Sequence, residues 1–492
     1  MQTPIKIFLY KNISYLLIIL FFYILPIGST AQNSNYIIDT NVCYVDGSGL
    51  NVRPGDTVFI KACEKQFLKI KNFKGDAENY IVFINSGGQV VIKNNNTYGF
   101  VMDNCQYFHL TGTGDTAYTY GIKVAGTLKG ASGLSTDNLS SDFEIDHVEV
   151  CNSGFAGIMS KTDPRCDRSS NRGNFTQYNS VFHDNYIHNT KGEGFYIGNS
   201  FYNGWCKNCY GKSDTLFPHE LIGVKVYNNI IDSTTYDGIQ IDCAVEDCEI
   251  YDNIITHTGI GDDAYSKYYG MEGIIIGGGT KCKCYNNIIK DGKGSGINVF
   301  GLGDIYIFNN LIVNMGLSSK MSAGQPDNHH PIGIFCDDRT TIPGASFNFI
   351  NNTIIRPREI GIRIWSLLSK NNRVYNNVII DPGGKSWNPN RALIDVTTPS
   401  GINADTLSRN NFLDTTSFIS SDNPYFIDTI LFHTKLNCIF VDSGICVDSI
   451  ESINFDLDKF PRPINNACDA GCYEFSIFPF KKTTDSSAYD EF

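Results

Sequence analysis

One phrase recurs along this chain and limits what it can fold into. Between Val224 and Val299 it is spoken three times: VYNNIIDSTTYDGIQID, then IYDNIITHTG with YGMEGIIIG, then CYNNIIKDGKGSGINV. Each copy has an aromatic lead, an Asn, an Ile pair, a polar turn, and a Gly-Ile that opens a second apolar run. Seven Asn residues hold one place: Asn185, Asn229, Asn253, Asn287, Asn310, Asn352 and Asn377. The Gly recurs at Gly194, Gly238, Gly273, Gly296, Gly333 and Gly361. In four copies the Asn and the Gly are nine residues apart. Self-similarity at such a period is the mark of a repeat architecture.

Successive Asn positions lie 23 to 44 residues apart, and the shortest spacings are 24, 23 and 25. The apolar runs are short, rich in Ile and Val, and alternate with period two, which predicts strand. A unit of this size holding two or three short strands cannot bury its apolar face alone. Stacking each copy on the last solves this and predicts an all-β solenoid with one continuous core. Coils then sit roughly 4.8 Å apart. An Asn repeated in every coil forms a ladder of amides at a tight bend, where Asn also tolerates left-handed backbone angles. Longer spacings are coils with inserted loops.

This pattern resembles the right-handed parallel β-helix family, the pectate-lyase-like solenoids, over roughly Asp146 to Ile380. The segment Val52-Arg53-Pro54-Gly55-Asp56-Thr57-Val58 is similar to the first coil of that family. The stretch Phe460-Pro461-Arg462-Pro463 through Cys468-Asp469-Ala470-Gly471-Cys472-Tyr473-Glu474 resembles a closing segment of its bacterial members. The family includes lyases, hydrolases, epimerases and non-catalytic surface proteins, so the fold alone names no chemistry.

Lys6 and Lys11 precede an apolar run from Tyr15 to Ile27 and the small residues Gly28-Ser29-Thr30-Ala31. That predicts a signal peptide over 1–31, cut before Gln32, and export to the periplasm, cell surface or medium; an N-terminal membrane anchor is the alternative. The β-helix is expected over 32–475, with regular coils at 146–385, terminal coils and a cap at 386–475, and a polar tail at 476–492. A net charge of −12 makes nucleic acid an unsuitable partner. No later stretch is apolar enough to span a bilayer, and a monomer is expected. All 16 Cys follow the signal segment, which favours disulfides in an oxidising compartment. The spacings suggest a Cys206–Cys209 clip, with Cys468–Cys472 and Cys438–Cys446 closing C-terminal loops. Cys248 and Cys282 are expected on adjacent coils, as a disulfide or as stacked thiols.

Alternation after the recurring Gly places a column of side chains outward: Met159, Tyr196, Gln240, Ile275, Asn298, Phe335 and Arg363. Two residues further on, the column reads Lys161, Gly198, Asp242, Gly277, Phe300, Asp337 and Trp365. Flat rings mixed with amides and charges suit a polysaccharide groove, with Tyr196, Gln240, Asn298, Phe335, Trp365 and Asp337 as contacts; a mixed solvated face is the alternative. Loops at 162–181, 199–222, 259–271 and 314–331 flank this strand and carry Arg165, Arg172, Trp205, His219, Glu220, Asp262, Asp263, Tyr268, Tyr269, His329 and His330. Just before the Gly stand Glu193, Asp237 and Glu272 on three successive coils. Stacked carboxylates repel unless compensated. With Asp242 they are candidates for binding Ca²⁺ or for an acid/base set, and solvated turn residues are the alternative. Strict alternation would point them inward.

In lyases of the family resembled, an acidic site, often with Ca²⁺, neutralises a uronate while Lys or Arg takes the α-proton. The resemblance thus implies eliminative cleavage of an anionic polysaccharide; the candidates for it in this chain are Glu193, Asp237, Glu272 and Asp242 at the centre and Lys161, Arg363, His219 or the His329–His330 pair as base. A glycoside hydrolase on the same face, or a non-catalytic adhesin, are the other expectations.

Overall fold

The geometry of a single coil explains the phrase. The computed structural model describes residues 35–93, 98–261, 270–316, 332–382, 393–415, 423–447, 451–464 and 466–476. The signal segment, the end of the tail, and Asp262, Asp263, Tyr268, Tyr269, His329 and His330 lie outside those residues. In one coil, Lys225–Tyr227, Ile230–Thr234 and Ile239–Ile241 are three short strands on three faces. Each pairs in parallel with its counterpart in the next coil. The third face is a sheet of 12 strands running from Tyr44–Asp46 to Ile394–Asp395. The first and second faces make one sheet of 23 strands, because Thr57–Lys65 and Ile81–Ile92 run unbroken around the corner between them. Among the described residues there is no α-helix. The fold is an all-β, right-handed parallel β-helix.

At the corner between first and second faces, each of the seven Asn residues is buried. From Asn185 to Asn352, each Nδ2 donates to the Oδ1 of the next coil's Asn at 2.9–3.1 Å. Asn377 continues the ladder to Asn411 at 3.0 Å, an eighth rung absent from the sequence reading. The left-handed angle falls one residue earlier than expected, at Asp184, Asn228, Asp252, Asn286, Asn309, Asn351 and Asn376. The two tasks are split between neighbours. The first residue turns the chain, which frees the second to point its amide into the stack.

The Ile pair is explained by the second face. One member faces the core: Ile231, Ile255, Ile289, Ile312, Ile354 and Ile379 stack in register and are fully buried. Truncating one of these to Ala would cost roughly 2–5 kcal/mol. The other member points outward, yet Ile288, Leu311 and Val378 are also buried. They are covered by Phe426, Phe432, Phe440 and Tyr473 of the C-terminal segment. Among the described residues the last strand is Phe412–Asp414, and this later cover lies over the second face. Within that cover Arg462 and Glu474 form a buried ion pair of 2.5 Å.

Disulfides join Cys166 to Cys209 and Cys446 to Cys468, replacing the three pairings expected from spacing. Cys206 and Cys209 are an odd number of residues apart on one strand, Trp205–Cys209, so their side chains leave opposite faces. Cys438 and Cys472 instead belong to the apolar cover. Cys248 and Cys282 stack as thiols 3.3 Å apart.

Candidate active site

Along the third face the recurring glycines let coils touch. A Cβ on Gly194, Gly238, Gly273, Gly296 or Gly333 would lie 2.5–2.7 Å from the carbonyl oxygen of the next glycine. The strands that follow run in the expected register, so Met159, Tyr196, Gln240, Ile275, Asn298, Phe335 and Arg363 form one outward row.

A cavity of about 330 Å³ opens in the middle of that row. Gln240, Ile275 and Asn298 line it, with Asp237, Glu272 and Asp242. Phe201 and Tyr202 stand on one side, Phe300, Arg339 and Thr340 on the other. A larger hollow of about 450 Å³ beside Gln106 and Asp142 holds one carboxylate, already bonded to Ser141 and Asn179, and offers no acid pair.

The acids are buried, yet Asp237 and Glu272 line this outward-opening cavity rather than the core to which strict alternation would point them, and the acids are not equivalent. Asp237 and Glu272 stand side by side, and Asp237 Oδ1 accepts from the Glu272 backbone N–H at 2.8 Å. Burial, reinforced by the neighbouring Glu272 charge, drives Asp237 well above the usual carboxylate range. Glu272 Oε1 accepts from Asn298 Nδ2 at 2.9 Å, and the buried Asn298 Oδ1 has no partner. Asp242 accepts from Gln240 Nε2 at 2.7 Å, while burial raises it to about 6. Its neighbours in the outer column are Gly198 and Gly277. A Cβ on Gly277 would fall 1.9 Å from Asp242 Oδ1, so that glycine makes the room the carboxylate occupies. Glu193 stands apart: it is buried, its Oε2 has no partner, and burial raises it to about 7, but it does not line the cavity.

The bases proposed from sequence lie elsewhere along the row. Lys161 sits 4.6 Å over the Tyr196 ring and 3.1 Å from Asp163. Burial opposes its charge, but Tyr196 and Asp163 outweigh that and raise it. Arg363 is held by Asp395 at 2.9 Å and lies over Trp365. Phe335 and Trp365 meet edge to face, 5.5 Å between ring centres, with Asp337 bonded to Arg339. His219 is buried against Phe175, accepts from the Thr162 N–H at 3.1 Å and is depressed to about 4 by burial, so it props a loop. Arg339 was missed from sequence; its guanidinium lies 3.5 Å over the Phe300 ring at the cavity edge. The only signal for it is its place two residues after Asp337 in the outer column.

Of the four flanking loops, 162–181 and 199–222 are described, whereas residues 262–269 and 317–331 lie outside the described residues. Trp205–Cys209 and Lys212–Leu216 form an antiparallel hairpin, tied through Cys209 to Cys166 of the preceding loop. Tyr202 packs on Gly279, where a Cβ would meet its ring at 2.0 Å, and Arg172 lies 4.0 Å from the other side.

For calcium, the four-carboxylate set proposed from sequence is not assembled. Glu193 is outside the cavity, and among the described residues no three of these acids bring one oxygen each within 4.8 Å of one another. What remains is the Asp237–Glu272 pair with the free Asn298 Oδ1.

No protein-family model matches the sequence, and no curated protein matches it. Solved structures do resemble it. Pectate lyase Pel9A is 12% identical, with 90% of this chain and 97% of that one covered and a TM-score of 0.43. The GH136 lacto-N-biosidase from Eubacterium ramulus is 11% identical, covering 75% and 63%, TM-score 0.47. The PL6 family polysaccharide lyase from Pseudopedobacter saltans is 14% identical, covering 82% and 98%, TM-score 0.40. Three parallel faces, one Asn-laddered corner and a glycine-lined third face make this chain a right-handed parallel β-helix.

Proposed function

We propose that the third face binds a polysaccharide and cleaves it by general acid/base chemistry, with Asp237, Glu272 and Asp242 as the catalytic carboxylates. The carrying observation is the pair of buried carboxyls, Asp237 and Glu272, on one cavity, where burial and the neighbouring Glu272 hold Asp237 well above the usual carboxylate range. On this reading the two acids share one proton, which supplies a proton donor at neutral pH. Asp242, ionised above about 6, supplies a carboxylate on the same cavity. A protonated acid and an ionised partner are what glycoside hydrolysis requires. Phe201, Tyr202 and Phe300 offer faces for sugar rings, and the free Asn298 Oδ1 takes a sugar hydroxyl. Rate should rise as Asp242 ionises near pH 6 and fall when the shared proton is lost.

Eliminative cleavage of an anionic polysaccharide is the second reading, and Arg339 favours it as a guanidinium for a uronate carboxylate at the cavity edge. The two disulfides fit export to an oxidising compartment.

The test is a panel of neutral and uronate polysaccharides, with and without a calcium chelator. New reducing ends and the ultraviolet absorbance of an unsaturated product are both followed. Hydrolysis gives the first alone; elimination gives both. Asp237→Asn keeps the shape and should lower the rate on the order of 100-fold or more. Binding without cleavage of any polymer would move the protein to the adhesin reading.

A further inference from the structure

Far around the coil from this cavity, the first face carries a second group of titratable side chains. It spans three coils in register: His109 on one, Glu144 and Asp146 on the next, His183 on the third. His109, Glu144 and Asp146 each bring one donor atom within 4.8 Å of the other two. His183 Nε2 joins them, 2.7 Å from Glu144 Oε1 and 3.9 Å from Asp146 Oδ2. His109 Nε2 contacts that same Asp146 Oδ2. One imidazole nitrogen and two carboxylate oxygens therefore lie within 4.8 Å of one another, and His183 Nε2, bonded to Glu144, stands at the edge of this group as a fourth donor.

The groups behind them are arranged to aim these donors. Asp146 Oδ1 is held by Thr111 Oγ1 and His147 Nδ1, both at 2.6 Å, so Oδ2 is left to face the cluster. His183 Nδ1 bonds to Asp184 Oδ2 at 2.6 Å, which turns Nε2 inward, and the ring stacks on Tyr227 at 4.7 Å. A histidine whose other nitrogen is bonded to a carboxylate is the usual supporting arrangement around a metal ligand. The neighbouring group of Glu149, Cys151 and His188 lacks this character, because Lys123 Nζ already lies 2.7 Å from Glu149 Oε1.

We propose that His109, Glu144, Asp146 and His183 bind one divalent cation of the zinc class, clamping three successive coils. Mixed imidazole and carboxylate donors select such an ion over calcium, which takes oxygen ligands. The site is separate from the third-face cavity, and its role is to fix the coils rather than to touch substrate.

The experiment uses the full chain stripped with a chelator and equilibrated with zinc. One zinc per chain is expected by metal analysis, with a higher unfolding midpoint than the stripped protein. Cobalt(II) in its place should give the visible absorption of a four-coordinate site. Asp184→Asn, which leaves all four donors, should weaken zinc binding about 10- to 100-fold. His109→Gln and His183→Gln should abolish stoichiometric binding, and His188→Gln should leave it unchanged. Each variant is first matched to stripped wild type by circular dichroism. The half-exposed His109 keeps the test decisive if His183→Gln does not fold. No stoichiometric zinc in wild type, or equal affinity in His109→Gln and Asp184→Asn, overturns the proposal.

Discussion

Two buried polar columns run up this molecule, and they differ in one respect. The corner between first and second faces stacks Asn on Asn; the bend before the third face stacks Glu193, Asp237 and Glu272. An amide both donates and accepts, so the Asn ladder closes on itself through every rung from Asn185 to Asn411. An ionised carboxylate only accepts. Stacked at coil spacing, carboxylates must bind protons or find donors. On the proposed reading Asp237 and Glu272 share a proton, and Asp242 nearby draws on Gln240. The first column holds the fold, whereas the second holds protons that chemistry can use.

Mixing the two columns breaks the comparison most sharply. Asn253→Asp removes an amide that donates to Val226 O at 2.9 Å and Asn287 Oδ1 at 2.9 Å, and puts a charge there instead. An uncompensated buried charge costs about 3–5 kcal/mol, so urea unfolding at pH 7 should show a loss of that order. The loss should shrink on acidification, because a buried carboxyl with a raised pKa favours folding only while it holds its proton.

A smaller effect separates Glu193 from the catalytic pair. Its folded value is near 7 against an ordinary 4.5, so the folded chain holds that proton more tightly. Its contribution to folding is complete below about 4.5 and is lost as pH rises to 7. Glu193→Gln should therefore raise stability at pH 8 by at most about 3 kcal/mol, do little at pH 4, and leave cleavage intact. Unfolding at the two pH values, alongside activity, checks this.

The smallest change tests the space around Asp242. Gly277→Ala pushes a methyl onto that carboxylate and should cost about 1–3 kcal/mol. It should also lower activity out of proportion to stability, which comparing unfolding with cleavage rate would detect. Equal activity would remove Asp242 from the site.

These contrasts also mark what the sequence makes legible. The ladder, the glycine column and the order of the outward row follow from period-two alternation and spacing, because stacking copies those choices rung by rung. Glu193, Asp237 and Glu272 are visible as a column, but not the fact that two pair while the third stays outside the cavity. That depends on which way each side chain leaves the bend. The Cys166–Cys209 tie and the cover of Phe426, Phe432, Phe440 and Tyr473 over Ile288, Leu311 and Val378 escape the reading because they belong to segments without a repeat, and Arg339 because it lies just past the strand that the repeat defines. Outward Ile and Leu on the second face were the available sign that something must cover it. The grouping of His109 and His183 with Glu144 and Asp146 is not visible in the sequence because the partners lie one coil away.

The most direct measurement of the central claim is the carboxyl spectrum of the folded protein at pH 7. Difference infrared spectroscopy between wild type and Asp237→Asn should reveal the C=O stretch of a protonated carboxylic acid in wild type and its disappearance in the variant. If instead the variant removes only an ionised carboxylate signal, Asp237 and Glu272 share no proton, and the acid/base reading of this cavity is wrong.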